Sequence, residues 1–288
     1  MSELKLEQIN KSFGKKTILS NINLSFSENK IYGLLGRNGA GKSTLLNIIV
    51  NRIFADSGMV RIDGENINDN DRKLDLMYLM SEVDLYANGD KLSKILENTE
   101  KLYGGFNWEL SEKLAKKFEI NLDQKYGKLS TGYHSIFKLI IALCVPVKFV
   151  ILDEPILGLD ANHRDLFYSE LLQSYSDNPR TFIISTHLIE EVTNIISDVV
   201  ILDNSRILLA APVEEILDQA YGIVGPQNEV DDYTKGLNII GTDKMGNLKT
   251  TYVYGNLNDN PVPDTVQISN LDLQKLFVLL TSKNGGNN

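Results

Sequence analysis

The sequence predicts an α/β fold: a mostly parallel sheet with an antiparallel β edge, an inserted helical subdomain and a small α+β C-terminal domain. Three observations carry this. Short apolar runs at 31–35, 149–152 and 182–184 read as buried strands separated by helical patterns, the arrangement of a parallel sheet covered on both faces. Between 85 and 146 the apolar positions recur at three and four, which marks a helical block. After 211 the charge balance shifts: 212–288 hold 5 basic and 10 acidic residues, against 24 and 28 before them. The boundaries drawn from these shifts are 1–211, with the helical subdomain at 85–146, and 212–288.

Residues 4–35 read as strands and turns. Ile22, Leu24 and Phe26 alternate, and Ile31-Tyr32-Gly33-Leu34-Leu35 is a buried run. A glycine-rich stretch, 36–44, leads into Leu45, Leu46, Ile48 and Ile49 at helical spacing. Val60 and Ile62 form a strand closed by Asp63-Gly64, and Leu110, Leu114, Ala115 and Phe118 line one face of a helix. A further helix around 166–172 separates the last two parallel strands. In the tail, Ile239-Ile240 and 248–254 form a hairpin about Met245-Gly246-Asn247. Ser269-Asn270-Leu271-Asp272 has capping-box spacing for a final helix that buries Leu273, Leu276, Phe277 and Leu280. The Gly285-Gly286-Asn287-Asn288 end is expected to fray.

Composition bounds the function. At 288 residues and 32.3 kDa the chain suits about two domains, and 42% hydrophobic with 23% charged residues suits a packed core rather than disorder. A formal charge of −9 argues against coating nucleic acid. One cysteine, Cys144, excludes an internal disulfide and reads as a small buried hydrophobe in a reducing compartment. The apolar run around it, 139–147, is far short of the about 20 residues a membrane span needs. Met1-Ser2-Glu3-Leu4-Lys5 lacks a signal-peptide core, so the expectation is a soluble, cytoplasmic protein.

Gly36-Arg37-Asn38-Gly39-Ala40-Gly41-Lys42-Ser43-Thr44 fits G-x-x-x-x-G-K-[ST], the phosphate-binding P-loop, between a strand and a helix. Its glycines (Gly36, Gly39 and Gly41) let main-chain N–H groups converge on one phosphate chain, and the helix end adds positive potential. Lys42 supplies a point charge for the β- and γ-phosphates, and Ser43 a hydroxyl for Mg²⁺. Asp153 and Glu154, at the end of a buried strand, supply a second metal carboxylate and a group to polarise the attacking water. The expected core is that of a P-loop NTPase binding ATP and Mg²⁺.

Further motifs narrow this. Leu129-Ser130-Thr131-Gly132-Tyr133 precedes a helix upstream of Asp153, Leu157-Gly158-Leu159-Asp160 follows Glu154, and Thr186-His187 follows the next strand. In order and spacing this resembles the nucleotide-binding domain of ATP-binding cassette (ABC) transporters over 1–211: Walker A, signature loop, Walker B, D-loop, H-loop. The resemblance implies a head-to-tail dimer in which Ser130 and Gly132 of one subunit close over ATP held by Gly36, Asn38, Gly39, Gly41, Lys42, Ser43 and Thr44 of the other. It implies that His187 contacts the γ-phosphate, Asp160 lies at the subunit junction, and Phe13 stacks on adenine. Two positions depart from the family pattern: Thr131 and Tyr133 alter the usual L-S-G-G-Q, and Ser81 replaces a glutamine that ligates Mg²⁺ and relays movement to the membrane partner. Ser81 itself or Glu82 could take over that ligand, and altered hydrolysis or coupling is expected.

The function expected is an ATPase subunit powering a separate integral membrane permease, an exporter of drugs, peptides or lipids. It would sit on the inner face of the cell membrane as a homodimer or as a heterodimer with a second ABC ATPase. Acting on ribosomes or nucleic acid is the alternative; it is disfavoured by a single cassette and by the acidic balance. A GTPase is disfavoured because Asn-Lys-x-Asp is absent. The tail is expected to serve dimerisation or regulation.

Overall fold

The computed structural model describes residues 2–81, 83, 85–258 and 260–282; Glu82 and the Gly285-Gly286-Asn287-Asn288 end lie outside the described residues. In chain order, β1 (Glu3–Phe13), β2 (Lys16–Ser27), β3 (Ile31–Leu35), α1 (Lys42–Ile49), β4 (Ser57–Ile62), β5 (Glu65–Asn66), α2 (Asp71–Leu74) and β6 (Met77–Met80) come first. Three helices form the middle block: α3 (Leu92–Tyr103), α4 (Trp108–Lys117) and α5 (Thr131–Cys144). β7 (Phe149–Asp153), α6 (Ala161–Asp177), β8 (Thr181–Thr186), α7 (Ile189–Val192), β9 (Asp198–Asp203) and β10 (Arg206–Pro212) follow. The tail holds α8 (Val213–Leu217), β11 (Ala220–Pro226), α9 (Gln227–Tyr233), β12 (Ile239–Met245), β13 (Leu248–Tyr254), β14 (Gln267–Asn270) and α10 (Leu273–Ser282).

The central sheet runs β10-β9-β3-β8-β7-β6, parallel except for β10 at its edge. Because side chains alternate along a strand, its strands feed two cores. Phe149 and Ile151 face a cluster with Leu45, Leu46 and Ile49 of α1 and the antiparallel sheet β2-β1-β4-β5. Val150 and Leu152 face the other cluster, with α5, α6 and α10. This two-sided burial explains why β7 and β8 are continuous apolar runs. It also explains the apolar stretch 139–147: α5 is buried on every side from Ile136 to Cys144 because it crosses the core. Burial pushes the Cys144 thiol up to about 12, so it is an inert packing residue. Among the described residues no helix is long and apolar enough to cross a membrane.

The C-terminal strands make a third sheet, β12-β13-β11-β14, antiparallel throughout. The expected hairpin is present, with Gly246 at φ 60° opening its two-residue turn. The expected capping box is not. Ser269 belongs to β14, paired with Gly222, and Asp272 caps α10 by accepting from the Lys275 N–H at 2.6 Å. Strand pairing outcompetes the local cap. Leu280 is only partly covered, and Thr281 takes the fourth buried position.

Arg180, 6% exposed, closes the C-terminal end of α5 by donating to the Leu143 and Val145 carbonyls, both at 2.6 Å. Arg180→Met leaves those carbonyls buried without donors, so unfolding in urea is expected to show a loss of about 2–3 kcal/mol.

Candidate functional site

The cleft is built at the C-terminal ends of β3, β7 and β8, where a doubly covered parallel sheet places ligands. The loop after β3 turns sharply into α1. Gly41 stands at φ 109°, and a Cβ there would lie 3.0 Å from the Ile18 carbonyl, so the glycine is required both by conformation and by space. Lys42, its side chain 6% exposed, is drawn back over the loop: its Nζ donates to the Gly36 carbonyl at 2.8 Å and lies 3.5 Å from Glu154 Oε1. Asn38, Gly39, Gly41, Ser43 and Thr44 line a cleft of about 650 Å³ with Lys42, Glu154 and His187.

Glu154 is the first residue beyond β7 and sits at φ 48°, a left-handed conformation costing about 1–3 kcal/mol for a residue with a side chain. Its N–H donates to the Ser185 carbonyl at 2.9 Å, which fixes the turn. The turn aims the carboxylate between two partners, Lys42 on Oε1 and His187 Nδ1 on Oε2 at 3.0 Å. Asp153, one residue earlier, is the last residue of β7 and is 5% exposed. Burial pushes its carboxyl up, against the pull of the Ser43 and Ser185 hydroxyls beside it. Its Oδ1 is buried without a hydrogen-bond partner among the described residues. A carboxylate oxygen with no donor, next to the Ser43 hydroxyl, is a donor set for a hard, oxygen-loving cation.

Phe13 is 52% exposed at the rim of this cleft, as the last residue of β1, and so is no core residue. Arg37 of the loop lines the cleft as well, and so do Lys16 and Ile18, which escaped the sequence reading. Lys16 could have been suspected from its place just after Phe13 and Gly14. With Lys42, they make the cleft attractive to a polyphosphate.

Ser130, Gly132 and Asp160 do not line this cleft. Ser130 caps α5, its Oγ accepting from the Tyr133 N–H at 3.4 Å, so it stands at a fourteen-residue helix's N-terminus. A Cβ on Gly132 would come within 2.8 Å of the Gly158 carbonyl, so the glycine allows α5 to press on the loop after Glu154. Ser135 Oγ donates to the Leu157 carbonyl across the same seam, at 3.2 Å. Asp160 caps α6 through the His163 N–H (2.9 Å) and holds the His163 ring, on which Tyr133 packs edge-on. Tyr133 therefore ties the start of α5 to the loop carrying Asp160. Ser81 lines a neighbouring cavity of about 440 Å³ with Asp153, Glu154 and Thr131. Its hydroxyl receives Arg52 Nη1 at 3.5 Å and its carbonyl receives Lys138 Nζ at 3.1 Å.

A parallel sheet presenting a glycine loop, a buried lysine and two consecutive carboxylates defines a P-loop nucleotide triphosphatase. A family model described as ABC transporter matches residues 19–157. Lantibiotic transport ATP-binding protein SrtF of Streptococcus pyogenes is 31% identical over 210 residues, 72% of this chain and 89% of SrtF. ABC transporter ATP-binding protein YtrB of Bacillus subtilis is 26% identical over 219 residues, 75% of this chain and 74% of YtrB. A solved ATP binding subunit of an ABC transporter superposes with a TM-score of 0.68 at 21% identity, covering 75% of this chain and 92% of that one. The chain belongs to the ATP-binding proteins of ABC transporters, and is an ATPase whose hydrolysis of ATP is coupled to transport.

Proposed function

We propose that this chain is the ATP-hydrolysing subunit of a transporter whose permease is a separate membrane protein, and that the pair exports drugs, peptides or lipids. The name of SrtF, a lantibiotic transport ATP-binding protein, supports a peptide among the cargoes. On this reading 1–211 is the ATPase domain, with its helical subdomain at 85–146, and 212–288 an accessory or dimerisation domain. The carrying observation is the convergence of Lys42, Glu154 and His187 on one cleft, with Asp153 directly behind.

Main-chain N–H groups of 39–44 and the N-terminus of α1 hold the phosphates, Lys42 binds the β- and γ-phosphate oxygens, and Phe13 stacks on adenine. Ser43 and Asp153 hold Mg²⁺, which when bound neutralises charge on the β- and γ-phosphates. Ser81 is the further ligand on this reading, supported by the cavity it shares with Asp153. Glu154 orients the attacking water and takes its proton. The water oxygen bonds to the γ-phosphorus as the bond from that phosphorus to the bridging oxygen breaks, and ADP and phosphate leave. His187 steadies the γ-phosphate from the other side of Glu154. Ser130 and Gly132 at the start of α5, with Asp160 beside them, close over the nucleotide of a second protomer. Their position outside the cleft of their own chain supports that arrangement.

The dimer is tested by complementation. Lys42→Ala and Ser130→Ala are each expected to abolish turnover, whereas mixing them restores it, because one composite site per mixed dimer keeps both native groups. Mixtures as inactive as the separate proteins would rule out a shared site. The departure at Ser81 makes a second prediction: Ser81→Gln changes steady-state ATPase rate, Mg²⁺ dependence or transport coupling by several-fold. If all three matched the unaltered protein, Ser81 would have no part in metal binding or relay.

A further inference from the structure

The tail reaches the nucleotide site through α10. β8 ends one residue before His187, and α7 starts two residues after it. At four residues α7 cannot hold its own place, so its neighbours set it. On one side Arg164 of α6 pairs with Glu191 at 3.0 Å, while its Nε donates to the Leu159 carbonyl at 3.0 Å. On the other side lies α10, packed on α7. Ile189 and Val192 share an apolar cluster with Leu273, Leu276 and Phe277. His187, Glu190 and Glu191 line a groove of about 280 Å³ together with Gln274, Phe277 and Val278. At its far end α10 brings Thr281 to a cavity bordered by Arg37, Asn38 and Gly39 of the phosphate loop.

The His187 ring is more than a third exposed, and its one hydrogen bond among the described residues goes to Glu154. Where the ring lies therefore follows its backbone, which is held by β8 on one side, with the Leu188 N–H donating to Thr186 Oγ1 at 3.0 Å, and by α7 on the other. We propose that α10 is the strut that positions His187, with Phe277 as the positioning residue, so that the C-terminal unit controls the rate of hydrolysis rather than only covering an edge. This rests on the reading of His187 as a γ-phosphate contact.

Phe277→Ala in the full-length chain is expected to lower kcat by about 3- to 30-fold, less than the about 10²-fold that a 1 Å misplacement can cost. Affinity for ADP, which lacks the γ-phosphate, should not change, and Phe277→Leu should keep most of the activity. In a His187→Ala background the same Phe277→Ala change should cost nothing more. Phe277→Ala opens a core position, so Gln274→Trp, on the exposed face of α10 at the same groove, gives a second reading with no core lost. It too should lower kcat only when His187 is present. The proposal is overturned if neither change affects kcat, or if the losses are as large without His187 as with it. If His187→Ala alone leaves turnover intact, the assigned role of His187 fails first and the strut has nothing to position.

Discussion

Glu154→Gln is expected to leave ATP binding intact and to slow hydrolysis by about 10²–10⁴-fold, the usual contribution of a general base. The substitution keeps the shape of the side chain, so the turn at φ 48° and its hydrogen bond to Ser185 survive. What is lost is the charge and the proton acceptor. Glu154 Oε1 lies 3.5 Å from Lys42 Nζ and Oε2 lies 3.0 Å from His187 Nδ1, so the carboxylate offsets two groups that also serve the triphosphate. A neutral amide leaves Lys42 with its whole charge for phosphate, and ATP affinity should hold or rise. Tight binding without turnover traps the closed state. With ATP and Mg²⁺ the variant should elute from size exclusion as a dimer, under conditions where the unaltered protein turns over and separates. Turnover at the rate of the unaltered protein would remove Glu154 from the catalytic role.

The parts of this site legible in the sequence are those whose chemistry is local. Gly36 to Thr44 is one loop, and its backbone needs are written in consecutive residues. Asp153 and Glu154 are adjacent, and the apolar strand before them announces its own burial. Ser130 could be placed at a helix start because capping depends on the next three residues. Lys16 and Ile18 reach the cleft only because the β1–β2 hairpin folds across the loop, a tertiary event without local pattern. The same holds for Tyr133 on His163, thirty residues away and across two helices. Ser269 misled for the opposite reason: a local capping pattern was real in sequence but lost to pairing with β11. The joining of α10 to α7 was hidden because each helix shows its apolar face without saying which partner takes it.

Asp153→Asn should separate stability from activity, with opposite signs. The carboxyl is 5% exposed and burial pushes its pKa above the ordinary value, so folding pays to keep it ionised. For a carboxyl raised in the folded state, the stabilising contribution is present below the unfolded pKa of about 4 and is lost as pH climbs through the higher folded value. At neutral pH the charged Asp153 therefore weakens the fold. Asn cannot ionise, so in metal-free buffer at pH 7 the melting temperature of Asp153→Asn should equal or exceed that of the unaltered protein. The gap should shrink as pH falls toward the ordinary carboxylate range. Activity moves the other way, because Oδ1 has no hydrogen-bond partner among the described residues and stands beside Ser43. Loss of that ligand should cut Mg²⁺-dependent hydrolysis by about 10²-fold or more. It should also abolish the rise in melting temperature that Mg²⁺ adds in the presence of ATP. A variant that is less stable at pH 7 yet still hydrolyses ATP would reverse both signs, and would make Asp153 a structural residue whose buried charge is satisfied within the chain.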